Sequence, residues 1–330
     1  MEKEQKLQTH PSLKLMDRVR QTLSYYQYSY RTEQSYCRWI KEYIHFLGIK
    51  KVPEQRFQKE IGSFLTFLSQ ERKLSGASQK QALNAIVFLY KRVFDVGIDV
   101  NIEPVKTRRK LVLPVVMTKK EVQMVLSRIK GKHLLMARLL YGSGLRLMEC
   151  IRLRVHNLDF KRNCIYVHPV KGSKDRKVMM PGLVKQDLFN QVETIRQIHL
   201  KDLAMGYGQV DLSNAQNLQD KAVGKEFIWQ YVFPSKKRAT DPRTGMIQRS
   251  HVLESGLQKA VKTAIKKTGI KKRVSCNTFR HSFATHMLEN NVNIYRVKDL
   301  MGHTDIKATE VYTHVMEKND DRILSPLDML

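Results

Sequence analysis

Apolar residues recur at helical spacing through residues 11–98 of the chain. They form three stripes with an apolar residue every three or four positions, as in helices that bury one face. Ser78 followed by Gln81 is a capping-box pattern that predicts the start of the last of these helices, and Pro53 suits the start of the helix before it. We therefore predict a small helical bundle with these stripes inside: Tyr36, Ile40, Tyr43 and Leu47; Ile61, Phe64, Leu65 and Leu68; Ala82, Ile86, Leu89 and Val93.

Aromatic side chains cluster near the start of this bundle. For these residues we expect packing in the core and at helix crossings, in preference to stacking on nucleic-acid bases. They are Tyr25, Tyr26, Tyr28, Tyr30, Tyr36 and Trp39.

Helical periodicity fades between Asp99 and Pro114, where a run of basic residues at 106–110 marks an extended segment. This predicts a basic linker over residues 102–117, between a helical domain of residues 1–101 and a second domain of residues 118–330. Thr118 with Glu121 repeats the capping-box signal, so helices are expected at about 119–129 and 133–141.

The pattern changes after Phe160. Two β-prone runs, 164–167 and 177–179, flank a polar turn and predict a hairpin whose tip projects Lys171, Lys174 and Arg176. Helices resume at about 183, and a polar, irregular stretch covers about 205–250. The fold class expected is α+β and mainly helical, with a small β-sheet.

The charge balance indicates the partner. The 330 residues include 59 Lys plus Arg against 31 Asp plus Glu, a net charge of +28 that favours binding to a phosphate backbone. Basic residues are interleaved with apolar ones throughout, unlike the basic tails of a ribosomal protein or the single amphipathic helix of a membrane-surface protein. DNA or RNA is therefore the expected partner.

Targeting and cysteine usage add two expectations. The chain has no apolar run of about 18 residues and no signal-peptide pattern at its start, so we expect a cytoplasmic protein with no membrane partner. The four cysteines show no CxxC pair, which favours buried thiols over disulfides or a zinc site. They are Cys37, Cys150, Cys164 and Cys276.

Several segments carry residues suited to phosphate chemistry. Arg146 follows a Gly-rich turn at the start of an apolar-striped helix, where it could face a phosphate together with backbone N–H groups. Arg280 precedes His281 and His286, and His303 and Tyr312 follow in the next segment. Taken singly, a capping arginine, a solvated lysine turn or a packed tyrosine is the commoner explanation.

The order of these segments is far more specific. The patterns GLRxxE, KGxK, xRHxFATH and LxGHxxxxxTxxYxH resemble the motifs of the tyrosine recombinases, the phage integrase and Xer group, over residues 15–330. The resemblance implies a helical, SAM-like core-binding domain and a catalytic domain that close around duplex DNA as a clamp. It implies a homotetramer on two DNA sites, which exchanges C-terminal segments and cuts with two protomers at a time. By this resemblance the catalytic residues are Arg146, Lys171, Asn277, Arg280, His303 and Tyr312.

These residue types suit metal-free cleavage of a phosphodiester. The reaction needs a nucleophile, neutralisation of the non-bridging oxygens and a proton for the leaving 5′ oxygen. Tyr312 would form a 3′-phosphotyrosine that conserves the bond energy without ATP, and no cofactor or metal is implied. Arg146 and Arg280 suit bidentate contact with the phosphate, His303 could donate to the same oxygens, and Lys171 could protonate the leaving oxygen. The neighbouring His281, His286 and His314 are expected to be structural partners.

Within this family the chain resembles the integron integrases. The resemblance rests on residues 227–235, 241–245 and 249–251, in an insertion at about 191–250, and on the terminal residues 324–330. It implies capture and excision of gene cassettes through a folded single-stranded attachment site whose bases protrude from the stem. The DNA-contacting residues implied are Trp229, Pro242, His251 and Lys174, although Trp229 could instead be a core aromatic beside Phe227 and Phe233.

Three positions depart from the family pattern. Asn277 stands where the family usually has His, and an amide cannot accept a proton, so reduced activity is expected. Ser250 replaces a second His and Asp211 replaces an aromatic residue, which bear on recognition of the attachment site.

Two other functions stay open at this point. One is a DNA-binding relative with weakened or lost catalysis, because of Asn277. The other is a monomeric strand-relaxing topoisomerase, against which the insertion and the terminal segment argue.

Overall fold

A computed structural model describes residues 13–48, 57–97, 113–168, 175–212, 223–313 and residue 315. The chain divides into two compact units, residues 1–111 and 112–330, each with its own buried apolar core. The basic segment expected to link two domains lies mostly outside the described residues.

The first unit is a helical bundle, as predicted. Its helices bury the predicted stripes: Ile61, Phe64, Leu65 and Leu68 are all at most 1% exposed. A π-helical turn, Leu89–Val93, continues the last helix. The helices are α1 (Leu15–Tyr25), α2 (Tyr30–Phe46), α3 (Phe57–Gln70) and α4 (Gly76–Phe88).

The start of α4 differs from the prediction. The helix begins three residues earlier than the Ser78 pattern indicated, because the Ser75 side chain is the cap and accepts the Ser78 backbone N–H. Gln81 makes no capping bond and accepts a hydrogen bond from the Trp39 indole instead. Pro53 lies outside the described residues.

The aromatic cluster of this unit mostly serves packing. Tyr26, Tyr28 and Tyr36 all lie within 6.5 Å of the Phe88 ring, centroid to centroid. Trp39 is 3% exposed. Tyr25 and Tyr30, by contrast, are exposed.

The second unit is helical with two small antiparallel sheets, which confirms the α+β, mainly helical class. Thr118 and Glu121 form the predicted capping box at the start of α5. The helices are α5 (Lys119–Leu126), α6 (Gly131–Gly142), α7 (Leu147–Ile151), α8 (Gly182–Ala204), α9 (Glu254–Lys266), α10 (Cys276–Glu289), α11 (Ile294–Met301) and α12 (Lys307–Glu310).

The predicted hairpin is present in the larger sheet. Strands β1 (Leu158–Asp159), β2 (Cys164–Val167) and β3 (Arg176–Met179) pair in that order, with Val167 opposite Arg176 at the end next to the turn. Residues 169–174 of the turn lie outside the described residues. A second hairpin pairs β4 (Ala239–Thr240) with β5 (Ile247–Gln248).

Helix α10 lies at the centre of the second unit. It packs on α6, α9 and α11, and its Phe279 and Ala284 are fully buried in the core. All four cysteines of the chain are buried free thiols, as predicted. Within the described ranges, no helix has the length and apolar character needed to cross a lipid bilayer.

Candidate active site

Four segments that are distant in sequence meet beside α10. They are the turn before α7, helix α10, the end of α11 and the end of α12. Contacts among them bring together Arg146, Arg280, His303 and Tyr312, four of the six residues that the motifs singled out.

Arg280 is held by backbone carbonyls inside the protein. Its side chain is 6% exposed, and its guanidinium donates to the carbonyl oxygens of Gly144 and Met301. Burial, followed by the charge of Arg146, lowers the pKa of Arg280 to about 9, which leaves the group charged at neutral pH. Helix α10 therefore fixes a cation that joins the turn before α7 to the end of α11.

Arg146 occupies a more open position. Its side chain is 41% exposed; Nη1 donates to Glu149 at 2.8 Å and Nη2 donates to the Gly302 carbonyl at 3.0 Å. Arg146 is the N-cap residue of α7, a helix of only five residues, and its own N–H is bonded to the Glu149 carboxylate. The free backbone donor expected from the sequence is thus occupied.

Arg176 does not project from the hairpin tip, contrary to the sequence prediction. Its side chain is 7% exposed and forms two hydrogen bonds with the Glu149 carboxylate, at 2.9 and 2.6 Å. Its Nε donates to the Leu300 carbonyl at 3.0 Å. Arg176 points inward because it is the first residue of β3, where the pleat directs this side chain to α7 and α11.

Glu149 is the anionic centre of this cluster. Burial alone would raise the pKa of its carboxyl, but the hydrogen bonds and charges of Arg176 and then Arg146 lower it to about 2. Arg280 lies 3.9 Å from the same carboxylate. Three guanidiniums against one carboxylate leave an excess of positive charge, which suits a phosphate group.

Two glycines allow the loops to approach these arginines. Gly144 has φ +63°, and a Cβ there would meet the Phe283 ring at 2.5 Å. Gly302 ends α11 in the left-handed conformation, φ +61°, and a Cβ there would lie 2.9 Å from the Arg176 side chain. Glycine therefore suits both positions by conformation and by space.

His303 lies between Arg280 and the ring of Tyr312. Its Nε2 is 3.4 Å from Arg280 and its Nδ1 is 2.9 Å from the Thr309 hydroxyl. Since a guanidinium only donates, Nε2 accepts and Nδ1–H donates to Thr309 in this arrangement. Burial and then the charge of Arg280 lower the pKa of His303 to about 4, so the ring is neutral at pH 7.

Tyr312 is buried at the edge of this cluster. Its side chain stacks on His303, with 6.3 Å between ring centroids and 16° between planes. Its hydroxyl lies 2.9 Å from Nδ1 of His281. Burial raises the pKa of the Tyr312 phenol above its ordinary value. The charges of Arg280 and Arg146 oppose this shift but do not cancel it.

The structure does not describe every motif residue. Asn277 is exposed on the first turn of α10, one helical turn before Arg280. Lys171 and Lys174 lie outside the described residues, as does His314. His286 bonds the Tyr141 hydroxyl at 2.9 Å, the kind of structural pairing expected for it.

Trp229 lies apart from the apolar core, in a short helical turn, Phe227–Trp229. It is half-buried, and its ring centroid is 4.6 Å from that of His156. The indole N–H is buried without a hydrogen-bond partner among the described residues. Burial lowers the pKa of His156 to about 4, so its neighbour is a neutral ring.

Pro242 and His251 occupy different surroundings. Pro242 is exposed in the turn between β4 and β5, where the Asp241 carboxylate accepts two backbone N–H groups. Nε2 of His251 accepts a hydrogen bond from Arg152, and its Nδ1 lies 2.8 Å from the Val252 carbonyl oxygen. The centroid of its ring is 5.4 Å from that of Tyr231. Across the described ranges, no hydrogen bond or ring contact joins Trp229, Pro242 and His251.

Sequence reasoning missed three residues of this site. Glu149 stood in the GLRxxE pattern, and its spacing from Arg146 matches a capping box, which was an available signal. Arg176 looked like part of a solvated turn, and only the strand register turns it inward. His281 was expected to be structural, although it contacts the Tyr312 hydroxyl.

The site thus groups three arginines, one glutamate, His303 and Tyr312 in the second unit. Comparison with known proteins gives the class. The family model described as "Phage integrase family" matches residues 115–319, and the model "Phage integrase, N-terminal SAM-like domain" matches residues 15–99.

Individual relatives are similar over nearly the whole chain. An "Integrase/recombinase" from Escherichia coli is 39% identical over 97% of this chain and 94% of its own length. The tyrosine recombinase XerA of Thermococcus onnurineus is 29% identical over 91% of this chain and 93% of its own length. The solved Tn1549 transposon integrase in complex with transposon right end DNA has the same fold, with a TM-score of 0.57 at 16% identity over 91% of this chain and 94% of that one.

The chain therefore belongs to the phage integrase family, the tyrosine recombinases. It is a site-specific recombinase of a family of DNA-cleaving and DNA-rejoining enzymes.

Proposed function

We propose that this recombinase captures and excises gene cassettes in the manner of an integron integrase, with Tyr312 as its nucleophile. The observation that supports the catalytic part is the position of Tyr312, whose phenol is close enough to Arg280 and Arg146 for their charges to lower its pKa, in a cluster whose guanidiniums outnumber its carboxylates. Such a cluster stabilises the negative charge that grows on phosphorus oxygens in the transition state.

Each residue then has a role in the proposed reaction. Tyr312 attacks phosphorus and forms the 3′-phosphotyrosine, while the bond to the 5′ oxygen breaks. Arg280 and Arg146 bind the non-bridging oxygens, the first from a fixed position and the second from an open one. Lys171 on its hairpin protonates the leaving oxygen. His303 would donate through Nε2 once a bound phosphate raises its pKa and protonates the ring.

The cassette-specific part rests on the insertion. Pro242 is exposed in the turn between β4 and β5, and the half-buried ring of Trp229 lies outside the apolar core. An aromatic face stacks on an unpaired base without regard to its sequence. These features support recognition of protruding bases by Trp229 and Pro242. His251, which is hydrogen-bonded to Arg152, would support the nearby backbone. Lys174 would contact a phosphate.

The proposal extends to assembly and domain roles. Residues 1–101 would bind DNA beside the catalytic domain of residues 118–330, joined by the linker 102–117, and four protomers would assemble on two sites in the bacterial cytoplasm. The reaction would need neither metal nor ATP, because the phosphotyrosine conserves the bond energy and charged side chains neutralise the phosphate.

A nicked suicide substrate tests the catalytic proposal. Cleavage releases a short fragment, so the covalent protein–DNA adduct accumulates on a denaturing gel. We expect an adduct with the unaltered protein and none with Tyr312→Phe, which keeps the ring packing, while both bind DNA equally in a gel shift. If neither protein forms an adduct, the DNA-binding relative that lacks catalysis is the better description, an interpretation that Asn277 favours.

A gel shift with two DNAs tests the cassette proposal. A folded single strand with protruding bases is compared with the same stem fully paired, in the same salt. Tighter binding to the folded strand supports the integron type, and equal binding would contradict it while leaving the recombinase assignment intact.

A further inference from the structure

His281 contacts the proposed nucleophile directly. Its Nδ1 lies 2.9 Å from the Tyr312 hydroxyl, a hydrogen-bond distance, with the two ring planes 37° apart. The residue follows Arg280 on α10, so the helix that fixes the phosphate-binding cation also fixes this imidazole.

At neutral pH the Tyr312 hydroxyl donates this hydrogen bond when the His281 ring carries its own proton on Nε2. Burial, and then the charge of the adjacent Arg280, lowers the pKa of His281 below its ordinary value, so the ring is neutral. The groups that face it are Arg280 on its own helix, Tyr312 from the end of α12, and His303, itself neutral at pH 7. A neutral ring can accept the phenolic proton at Nδ1 and keep its own proton on Nε2.

Other nearby groups are less suited to accept this proton. The amide of Asn277 is not a base at neutral pH, and its side chain is exposed. His303 stacks on the ring of Tyr312, and its two nitrogens are occupied by Arg280 and Thr309.

We infer that His281 is a catalytic residue that takes the hydroxyl proton of Tyr312 during cleavage and returns it during rejoining. This inference rests on the proposed function, in which Tyr312 is the nucleophile. His281 would then have the role of proton acceptor, which the amide of Asn277 cannot perform.

The step balances in atoms and charge. The O–H bond of Tyr312 breaks as its oxygen bonds to phosphorus, and the proton becomes an N–H on Nδ1 of His281. The bond from phosphorus to the 5′ oxygen breaks, and that oxygen takes a separate proton, from Lys171 in the proposed reaction. Rejoining reverses each transfer, so His281 ends neutral and no oxidant or cofactor is consumed.

The test compares two histidines of the same helix. His281→Gln keeps a hydrogen-bonding side chain that cannot accept a proton, and His286→Gln makes the same change at a histidine that bonds a different tyrosine, Tyr141, at the same 2.9 Å. We expect single-turnover cleavage of the nicked substrate to fall by about 10²–10⁴-fold in His281→Gln, the typical contribution of one acid–base group. His286→Gln should cleave at close to the unaltered rate, and DNA affinity should be unchanged in both.

The pH profile separates proton transfer from a structural effect. Above the lowered pKa of His281, the unaltered rate should be nearly flat with pH. The His281→Gln rate should keep rising with pH, because only the ionised phenol or a solvent base then serves. Replacing Tyr312 by a fluorinated tyrosine, whose phenol is more acidic, should restore cleavage in His281→Gln more than it speeds the unaltered protein.

Each result has a distinct meaning. Equal losses in both glutamine variants, or no rescue by the fluorinated tyrosine, would overturn the inference while the adduct at Tyr312 upholds the proposed function. Absence of any adduct in the unaltered protein would instead overturn the proposed function. If His281→Gln fails to fold, the unaltered profile decides: a rate that rises tenfold per pH unit from about 7 to about 9 excludes a neutral imidazole as the acceptor.

Discussion

Arg280 and Arg146 differ in how they are held. Arg280 is buried, with the carbonyls of Gly144 and Met301 as partners, whereas Arg146 is 41% exposed and shares the Glu149 carboxylate. An exposed guanidinium can exchange a carboxylate for a phosphate with little rearrangement. In the proposed reaction, Arg280 would thus supply a fixed charge, and Arg146 would supply one that can move with the substrate.

Glu149 should stabilise the fold in a pH-dependent way. Its pKa is lowered to about 2 from an ordinary 4.5, so its contribution is complete above about pH 4.5 and is lost as pH falls towards 2. Glu149→Gln should therefore reduce the free energy of unfolding by about 3 kcal/mol at pH 7 and by much less near pH 3.

Denaturant unfolding of both proteins across this pH range measures the effect. The control is Asp187→Asn, which breaks an exposed ion pair with Arg138 and should cost less than about 1 kcal/mol. A Glu149→Gln penalty that stays constant with pH would show that packing, and not charge, stabilises this position.

Trp229 offers a test of base recognition. Trp229→Ala should weaken binding to a hairpin with protruding bases by about 1–3 kcal/mol and leave binding to the paired stem nearly unchanged. Trp229→Phe, which keeps an aromatic face, should retain most of the difference. Equal losses on both DNAs, measured by gel shift, would instead make Trp229 a structural residue of the insertion.

The sequence predicted the chemistry of single residues better than their partners. Arg146, Arg280, His303 and Tyr312 were found from motif order and lie together. The partner of the Tyr312 hydroxyl depends on how α10 is rotated against α12, which no local pattern of residues encodes. For this reason the sequence indicated that a proton acceptor is missing at Asn277, whereas the structure shows His281 beside the Tyr312 hydroxyl.

Among the elements, α10 and the end of α11 position the site. Helix α10 carries Arg280 and His281 on consecutive residues, and its core contacts fix both. Gly302, at the end of α11, gives its carbonyl to Arg146 and leaves room for Arg176. The carbonyls of one helix terminus, those of Leu300, Met301 and Gly302, thus hold all three guanidiniums.

Gly302→Ala should disturb this terminus. The left-handed backbone costs an alanine about 1–2 kcal/mol, and the added Cβ also displaces the Arg176 side chain. Gly131→Ala is the matched control, because Gly131 has φ +57° and a Cβ added there would meet no other atom within 4 Å. Thermal unfolding and cleavage should both suffer more in Gly302→Ala, and equal effects would show that the contact with Arg176 is unimportant.

The sequence predicted which helices and strands form more readily than it predicted where each begins and ends. The apolar stripes predicted the bundle, and the capping box at Thr118 predicted the start of α5. At α4 two serines three residues apart could each cap the helix, and packing selected Ser75. The length of α8 could not be predicted in the same way, because exposed apolar residues such as Leu183 and Leu200 blur its stripe.

For the molecule as a whole, charge should govern DNA affinity. The net charge of +28 is spread over both units, since basic residues exceed acidic ones on each side of residue 110. The logarithm of affinity should fall linearly with the logarithm of salt concentration, with a slope of about 0.9 for each phosphate contacted.

Removal of residues 1–101 should make that slope shallower. The second unit has its own core, so it is expected to fold alone. Titrations of both proteins between low and moderate salt measure the two slopes. An unchanged slope would mean that the helical bundle contributes no phosphate contacts.

The bonds that hold Arg280 also bear on how this lineage can decay. The Arg280 guanidinium joins two segments through the carbonyls of Gly144 and Met301. Selection for folding alone should therefore retain it, even in a descendant that no longer recombines DNA. Loss of the Tyr312 hydroxyl would remove its hydrogen bond with His281, but phenylalanine would fill the same space. Among related sequences that have lost recombination, Arg280 should be retained more often than Tyr312. The residue at position 312, and not that at 280, therefore indicates whether a relative still cleaves DNA.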